Sequence, residues 1–246
     1  MTDTDAKKAP AGKTGYHHGD LRNALLEAAI DLARDAGPEA VVLRAAARRV
    51  GVSPTAAYRH FAGQAELLYA VKERGQDLLA DSMEAAVRAV QSPSSDSGSG
   101  SGPDSSPASG AASVDGTGRY ELEERVRALG RGYLAFARSE PGFYRTAFCH
   151  QALPGQRGPE PPEFPPASDG GTFRSFQLVV EVLDSLVAHG VMPPQRRPGA
   201  EISAWATVHG LAMLIIDGPL SGLTTEETDA VVEHTLSVVI AGLTAD

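Results

Sequence analysis

The sequence predicts an all-α protein of about nine helices, divided into an N-terminal domain of three helices and a larger C-terminal helical domain. Three observations support this prediction. Apolar residues recur at spacings of three and four in each segment long enough to form an element. No stretch shows the convincing alternation of apolar and polar residues that marks a half-buried strand. Residues 91–118 and 154–171 are rich in Ser, Gly and Pro and lack any such period, which identifies them as loops.

The charge of the chain is unevenly distributed. Its 246 residues include 22 Lys and Arg and 31 Asp and Glu, a net charge of −9. Residues 1–60 hold nine basic and seven acidic side chains, a net of +2, and residues 61–246 hold 13 and 24, a net of −11. A mildly basic head on an acidic body suits contact with a polyanion at one end. The same split also arises by chance when a chain has a basic tail.

The sequence contains a single cysteine, Cys149, so no intrachain disulfide is possible. The N-terminus has no apolar core of the kind found in secretory signals. The apolar run LAMLII, residues 211–216, is far too short to cross a bilayer. We therefore expect a protein of the reducing cytoplasm with no membrane partner.

The N-terminal domain is expected to occupy residues 16–63, after a disordered arm at residues 1–15. Its first helix is predicted at about 20–36, because Asp20 is a suitable N-cap and Gly37-Pro38 stops a helix. Apolar residues at helical spacing give this helix one stripe for burial.

The segment GVSPTAAYRHF, residues 51–61, connects a second helix at about 43–50 to a short third helix. Gly51 can adopt the positive φ needed to leave a helix and turn sharply. Ser53 can accept a hydrogen bond from a free N–H of the third helix, and Pro54 suits its first position. These features predict a helix-turn-helix whose third helix enters a groove of DNA. The alternative is an ordinary helical hairpin with solvated polar groups.

The outward face of the third helix, residues 54–60, carries side chains suited to DNA. Thr55 offers a methyl group and a hydroxyl, and Ala56 keeps the helix surface low for close approach to the bases. Tyr58 and His60 can donate to phosphate oxygens, and Arg59 can pair with a guanine edge or a phosphate. The candidate DNA-binding residues are Arg44, Ser53, Pro54, Thr55, Ala56, Tyr58, Arg59 and His60.

A long fourth helix is predicted at about 64–90. It is the only element expected to join the N-terminal domain to the rest of the chain, and so it is the expected lever between them. The segment that follows, residues 91–118, is expected to be disordered, because it cannot bury enough apolar area to offset the entropy of ordering.

The C-terminal domain, residues 119–246, is predicted to hold the remaining five helices. They are expected at 119–139, 141–151, 172–189, 199–216 and 225–243. In the ninth helix Val232, Leu236, Val239 and Leu243 repeat at spacings of four and three, the seam used by two packed helices. We expect this seam to be buried between two chains, where the eighth and ninth helices of each form a four-helix interface.

Two stretches of the sequence resemble a known family. Residues 16–71, YHHGDLRNALLEAAIDLARDAGPEAVVLRAAARRVGVSPTAAYRHFAGQAELLYAV, resemble the N-terminal DNA-binding domain of TetR-family transcriptional regulators. Residues 205–214, WATVHGLAML, resemble the Trp…His-Gly signature of one subclass of TetR C-terminal domains. The resemblance implies a homodimer that binds a palindromic operator in double-stranded DNA, most simply a repressor released by a small-molecule effector. It places Arg44, Thr55, Ala56, Tyr58 and His60 at or near the operator.

Three features depart from the family pattern. Val42 replaces the usual Ser or Thr before the second helix, which costs that helix its N-cap and about 0.5–2 kcal/mol. Gln64 stands where the family favours Lys, and Ala65 follows it where the family has an acid, so one phosphate contact is expected to be missing. The 28 residues of 91–118 resemble an insertion, which loop-closure entropy tolerates.

A small apolar effector is expected to bind among the fifth to eighth helices. The candidate ligand-binding residues are Phe136, Phe176, Trp205 and His209. The alternative is that these residues belong to the core, where aromatic side chains at helical spacing usually pack. Trp205 and His209 lie four residues apart on one helix face, so His209 can also be a hydrogen-bonded neighbour of a core tryptophan.

We expect no enzyme activity, no cofactor and no metal site. The sequence lacks a Gly-x-Ser-x-Gly motif, a phosphate loop and a dinucleotide fingerprint. The adjacent Cys149 and His150 point in different directions on a helix, and His17-His18 lacks a third ligand at a useful spacing. The alternative function is an all-α small-molecule-binding protein or enzyme without operator binding. A second alternative is an architectural DNA-binding protein without an effector.

Overall fold

The computed structural model of the protein describes residues 21–91, 116–148 and 173–245. These ranges contain no strand, and the all-α prediction is confirmed. Their α-helices are α1 Leu21–Ala36, α2 Leu43–Val50, α3 Pro54–Ala57, α4 Gln64–Gln91, α5 Gly116–Ser139, α6 Pro141–Phe148, α7 Arg174–Ala188, α8 Ala200–Ile216 and α9 Thr225–Thr244. Short 3₁₀ turns at Pro38–Ala40 and Pro194–Arg196 precede α2 and α8.

Two helix boundaries differ from the sequence prediction in an informative way. The third helix ends at Ala57, and residues 58–60 continue as a tight turn because Arg59 and His60 donate to carbonyls three residues back, at 3.3 and 3.0 Å. The fifth helix begins at Gly116, so the last three residues of the segment predicted as a loop are helical.

Several predictions concern residues outside the described ranges. They are the arm at 1–15, His17-His18, Asp20 as an N-cap, most of the segment 91–118, the pair Cys149-His150 and the segment 154–171.

The first three helices, which we call the head, enclose a small core. Leu25, Leu43 and Phe61 are among its fully buried side chains. Ala47 has no exposed surface, since α2 crosses close to α3 at this position. The head therefore has a buried side that fixes its three helices and an opposite side that remains in solvent.

The body is built on the packing of α4 against α5. A Cβ atom at Gly132 would lie 2.6 Å from Cα of Met83, so the two helix backbones can approach only because this position is glycine. Ser82 donates a hydrogen bond of 2.9 Å to the carbonyl of Gly132 at the same crossing. Helices α6 to α9 pack around this pair and complete the core.

The prediction that α4 alone joins the head to the body is wrong, because α6 also contacts α1. A Cβ atom at Gly142 would lie 2.6 Å from the carbonyl oxygen of Ala33 and closer still to that of Arg34. Beside this contact Arg34 donates to Glu140 at 3.0 Å. Sequence periodicity identifies a helix but not the neighbours of a short one, and so α6 was not assigned this role.

The seam on α9 is buried inside its own chain rather than left for a partner, which corrects the expected dimer seam. Val232, Leu236 and Leu243 are between 3 and 7% exposed, and Val239, the fourth residue of the seam, is half-buried. Leu236 packs over Gly130 of α5, where a Cβ atom would overlap its side chain. Arg131 of α5 donates twice to Glu233 of α9, at 2.6 and 2.7 Å. A four-and-three spacing shows that a helix packs but does not identify the element that covers it.

Among the described residues, none of the helices combines the length and apolar character that a membrane span requires.

Candidate nucleic-acid interface

The turn between α2 and α3 has the geometry of a helix-turn-helix. Gly51 adopts the left-handed conformation, with φ 79° and ψ 28°. Ser53 is the N-cap of α3, and its hydroxyl oxygen accepts from the Ala56 N–H at 3.2 Å. Val42, the N-cap of α2, makes no side-chain hydrogen bond, as its apolar side chain requires. The turn therefore presents α3 on the open side of the head.

The candidate residues lie together on this open side. Exposed side chains are those of Arg44, Ser53, Pro54, Thr55, Tyr58 and Arg59. Ala56 and His60 are half-buried, and the next residue after Ala56, Ala57, is fully buried as the anchor of α3. The Tyr58 side chain is 47% exposed although it is large and aromatic. Such a surface is typical of a face prepared for a partner.

The arginines of the head fall into two groups. Arg22, Arg34 and Arg49 are engaged by carboxylates, at 3.0 Å to Glu66, 3.0 Å to Glu140 and 3.1 Å to Asp35, respectively. The others are Arg44, Arg48 and Arg59, which are exposed and have no hydrogen-bond or ion-pair partner among residues 21–91, 116–148 and 173–245. An arginine without an internal partner keeps all its donors for phosphate or base edges.

Arg48 is a member of this second group that the sequence analysis did not select. It lies four residues after Arg44 on α2, so the two side chains share one helix face. That spacing is the signal that identifies it. In a helix-turn-helix the first helix of the pair crosses the DNA backbone, and two guanidinium groups one turn apart suit consecutive phosphates.

Comparisons with known proteins identify the family. Residues 25–71 match the sequence model of bacterial regulatory proteins of the tetR family, and residues 126–239 match the tetracyclin repressor-like C-terminal domain. The chain belongs to the TetR family. The expected resemblance is confirmed, and the chain is a DNA-binding transcriptional regulator with a helix-turn-helix domain. No curated protein matches the sequence significantly.

Solved structures share the TetR fold. A protein of unknown function from Rhodococcus sp. RHA1 is 25% identical, with a TM-score of 0.64, and the match covers 94% of this chain and 100% of that one. A candidate tetR family transcription regulator from Shewanella sp. PV-4 is 15% identical, with a TM-score of 0.54 and coverages of 92% and 98%. A TetR variant from Acinetobacter baumannii AYE in complex with minocycline is 18% identical, with a TM-score of 0.51 and coverages of 93% and 96%.

The residues proposed for the effector are only partly brought together in this TetR-family chain. Trp205, His209 and Phe176 are neighbours: the Trp205 ring lies 5.9 Å from that of His209 and 6.0 Å from that of Phe176, between centroids. Phe136 belongs instead to a buried pair with Phe143, 6.2 Å away. The sequence set therefore divides between two places in the body.

A polar network that the sequence analysis did not predict connects three helices beside Trp205. The hydroxyls of Tyr133 and Tyr144 lie 3.0 Å apart, and both are within 2.9 Å of Nδ1 of His209. Trp205 donates from Nε1 to the Tyr133 hydroxyl at 3.3 Å. The indole proton and both hydroxyl protons are used if donation runs from Trp205 to Tyr133, then to Tyr144, then to Nδ1 of a neutral His209, whose own proton is then on Nε2. His209 is therefore hydrogen-bonded to two tyrosines, while Trp205 one turn earlier is half-buried.

Burial keeps this network uncharged. It lowers the pKa of His209, and it raises the pKa of Tyr133 to about 12 and that of Tyr144 well above the ordinary tyrosine value. For Tyr133 the hydrogen bonds with Tyr144 and Trp205 oppose the effect of burial. Protonation of Nδ1 would leave one tyrosine hydroxyl without an acceptor, so geometry and burial both favour neutral His209.

Two grooves in the described parts of the body lie away from these residues. One, of about 290 Å³, lies between α6, α8 and α9 beside Arg138 and Arg145. Another, of about 160 Å³, lies between α4, α5 and α7 beside Arg125. Phe136, Phe176, Trp205 and His209 line neither of them. Among the described residues no three His, Cys, Asp or Glu side chains are arranged to hold a metal ion.

Proposed function

We propose that this TetR-family chain is a homodimeric repressor that leaves a palindromic operator when a small-molecule effector binds. Residues 16–63 would form the DNA-binding domain, 64–90 the connecting helix, and 119–246 the ligand-binding and dimerisation domain. The regulator would act in the cytoplasm, on the double-stranded DNA found there.

One observation carries the proposal: the arginines that no described residue engages, Arg44, Arg48 and Arg59, lie on the exposed side of α2, α3 and the turn after α3. The other arginines of the head have partners within the chain. Arg49 ties α2 to α1, Arg22 ties α1 to α4, and Arg34 ties α1 to Glu140 just before α6. These exposed guanidinium groups make no contact that stabilises the described fold, so their donors remain available to a partner. In a helix-turn-helix that partner is the phosphate backbone of DNA. We assign phosphate contacts to Arg44, Arg48 and Tyr58 and a base-edge or phosphate contact to Arg59.

The partner in the dimer is a second copy of the chain, which would meet an apolar face of α8 and α9. Met213 and Leu214 on α8 are 38 and 43% exposed, and Val238 on α9 is 58% exposed. Gly210 lies one turn before Met213, and a Cβ atom there would meet nothing within 4 Å in this chain. Large exposed apolar side chains on two helices that contact each other support an interface there, and a closed two-fold dimer presents two α3 helices to a palindrome.

The effector would bind in the body and act through the spacing of the two heads. A small molecule bound to a relative of this fold, minocycline in the protein from Acinetobacter baumannii, supports this assignment. The aromatic cluster around Trp205 and His209 remains our candidate region for a small apolar molecule. To shift the protein from almost entirely the DNA-binding conformation to almost entirely the other, the effector must bind the second conformation more tightly by about 5.5 kcal/mol.

The alternative is an all-α binding protein or enzyme without an operator. Enzymes need polar groups that converge on a free site and remain available to a substrate. The hydroxyls of Tyr133 and Tyr144, the indole N–H of Trp205 and Nδ1 of His209 are engaged with one another, which favours binding over catalysis.

Selection of genomic fragments by the purified protein tests the proposal. The expected result is a set of fragments that share a palindrome, with binding that weakens steeply as salt rises because several phosphates are neutralised. A panel of apolar small molecules is then screened for thermal stabilisation and for release of the selected fragment. Absence of binding to any fragment at low salt would instead support the alternative.

A further inference from the structure

The turn between α3 and α4 is held by a three-point contact of Arg22, the second residue of α1. Arg22 donates from Nη1 to the carbonyl oxygen of His60 at 2.6 Å. The same guanidinium pairs with Glu66 of α4 at 3.0 Å and lies 4.2 Å from the centre of the Phe61 ring. One side chain thus contacts His60 at the end of residues 54–60 (the reading segment), the buried Phe61 ring that follows, and α4.

Glu66 completes this arrangement from the other side. While one carboxylate oxygen pairs with Arg22, the other accepts the backbone N–H of Ala62 at 2.7 Å. Both contacts favour the carboxylate, and the Ala62 N–H and then Arg22 lower the pKa of Glu66. Glu66 thus connects α4 to both α1 and the backbone of the turn.

We propose that Arg22 and Glu66, which we call the turn clamp, are positioning residues that fix the reading segment 54–60 relative to α1 and α4. This inference rests on the proposed function, in which that segment enters DNA. The clamp is one contact through which a movement of α4 can reach the segment 54–60, alongside the packing of α4 on α1.

The reading segment needs such a clamp because its own helix is short. α3 contains four residues, Pro54–Ala57, and Tyr58, Arg59 and His60 follow in a turn. A single helical turn has too few internal hydrogen bonds to be stable by itself. Ala57 and Phe61 anchor the buried side, and the clamp fixes the remaining freedom of the backbone at residues 58–62.

The contact between Arg22 and Glu66 is more than an ion pair on the surface. The side chains of Arg22 and Glu66 are 49 and 42% exposed, and isolated pairs of that kind contribute little to stability. The clamp differs because each partner also binds backbone, at the His60 carbonyl and the Ala62 N–H. Loss of the clamp is therefore expected to reduce DNA affinity more than it lowers the melting temperature.

The first test is operator binding by Arg22→Ala, Glu66→Ala and the double variant across a salt series. A loss of about three- to tenfold in affinity is expected for each, as for one charge-assisted hydrogen bond, without a change in the salt slope. The double variant should lose no more than either single one, because the two residues act through each other. Arg22→Lys should recover part of the loss. The control is Arg49→Ala, which removes an ion-paired arginine of the head away from the turn.

A lower salt slope for Arg22→Ala would show that Arg22 contacts phosphate itself, and it would overturn the clamp. Normal affinity of both single variants, or additive losses in the double variant, would also overturn it.

A second measurement, made without DNA, tests whether the clamp orders the turn. Hydrogen exchange of the DNA-free protein should become faster across residues 58–66 in Arg22→Ala and Glu66→Ala but not in Arg49→Ala. Unchanged exchange in this segment would contradict the clamp. Failure of the wild-type protein to bind any fragment would contradict the proposed function, while exchange would still report on the clamp.

Discussion

The side chains of Arg44 and Arg49 show how the same residue type serves two purposes in one short helix. Arg49 pairs with Asp35 at 3.1 Å and lies within 3.8 Å of Asp31, and so it ties α2 to α1. Arg44 is exposed and unengaged by any described residue. The sequence alone cannot separate the two, because the acids that engage Arg49 come from another helix.

Local chemistry at the turn was predictable, whereas the network in the body was not. Gly51, Ser53 and Pro54 have roles that depend on their own backbone positions, and a reader of the sequence can assign them. The contacts of Tyr133 and Tyr144 with His209 depend on how α5, α6 and α8 pack. The spacing of residues along the chain does not indicate how these helices pack. Of the network, it indicates only that Trp205 and His209 are neighbours, because they lie one turn apart on α8.

The hydrogen-bond order in the network predicts unequal costs for two substitutions. His209→Leu leaves a buried tyrosine hydroxyl without an acceptor and should reduce the free energy of unfolding by about 1–3 kcal/mol. Tyr144→Phe should cost less, because the Tyr133 hydroxyl, 2.9 Å from Nδ1 of His209, can then donate to it directly. Denaturant unfolding measures both. Tyr120→Phe, at a 64% exposed side chain, is the control, and a greater cost for Tyr144→Phe would refute the order.

The neutral state of His209 predicts a pH dependence with a definite sign. Because its pKa is lowered in the folded protein, this histidine contributes full stability above the unfolded-state pKa of about 6.5. As the pH falls below that value the unfolded chain gains the proton first, and stability declines. The decline between pH 7.5 and 5.5 should be smaller in His209→Leu than in the wild-type protein. Equal declines would show that other groups are responsible.

At the scale of elements, the existence of the helices and most of their limits could be predicted from the sequence, whereas their packing partners could not. The second helix was predicted at the residues it occupies, Leu43–Val50, because a glycine ends it. The apolar seam of α9 was also real, but the structure assigns it to α5 of the same chain. The outer face of α9, near Val238, has a weaker apolar signal, since His234 and Ser237 interrupt it.

Helix α6 is the second connection between head and body, and it also belongs to the aromatic network. Its first turn packs on α1 at Gly142, while Tyr144 in the same helix binds His209 of α8. A Cβ atom at Gly75 of α4 would lie 2.8 Å from Cβ of Ala147, so α6 is also packed closely on the long helix. A change around His209 therefore has a direct mechanical route to the head.

Gly142→Ala should test that route. The added methyl group would overlap backbone carbonyls of α1, and the head must shift to relieve an overpacking cost of about 1–3 kcal/mol. Operator affinity measured on the folded protein should fall. Gly132→Ala, which overlaps α4 within the body, should lower stability with little effect on the affinity of the protein that remains folded. Equal effects on affinity would argue against α6 as a connection.

The whole molecule brings together two surfaces that a single chain leaves unfilled. One is the DNA-facing side of the head, and the other is the apolar side of α8 and α9. Neither surface alone identifies the assembly. A two-fold dimer formed through the apolar side of α8 and α9 would place two DNA-facing sides on one duplex. The family assignment could be predicted from sequence because the helix-turn-helix has fixed local spacing. The effector could not, because a cavity depends on the packing of several helices.

Val238→Glu should separate the dimer. A carboxylate in the middle of an apolar interface is buried without a partner, whereas it costs nothing on a free surface. Analytical ultracentrifugation should show a monomer for this variant. The control is Val90→Glu, at a residue that is 44% exposed at the end of α4. This variant should remain a dimer like the wild-type protein. A dimeric Val238→Glu protein would place the interface elsewhere.

Operator binding by an Arg44→Ala/Tyr58→Ala double variant across a salt series tests the central claim most directly. With the dimer intact by ultracentrifugation, we expect weaker binding at every salt concentration and a salt slope smaller by about one phosphate contact. Arg49→Ala should keep the wild-type slope. Wild-type affinity and slope in the double variant would contradict the claim that the exposed face of α2 and α3 is the surface that meets DNA.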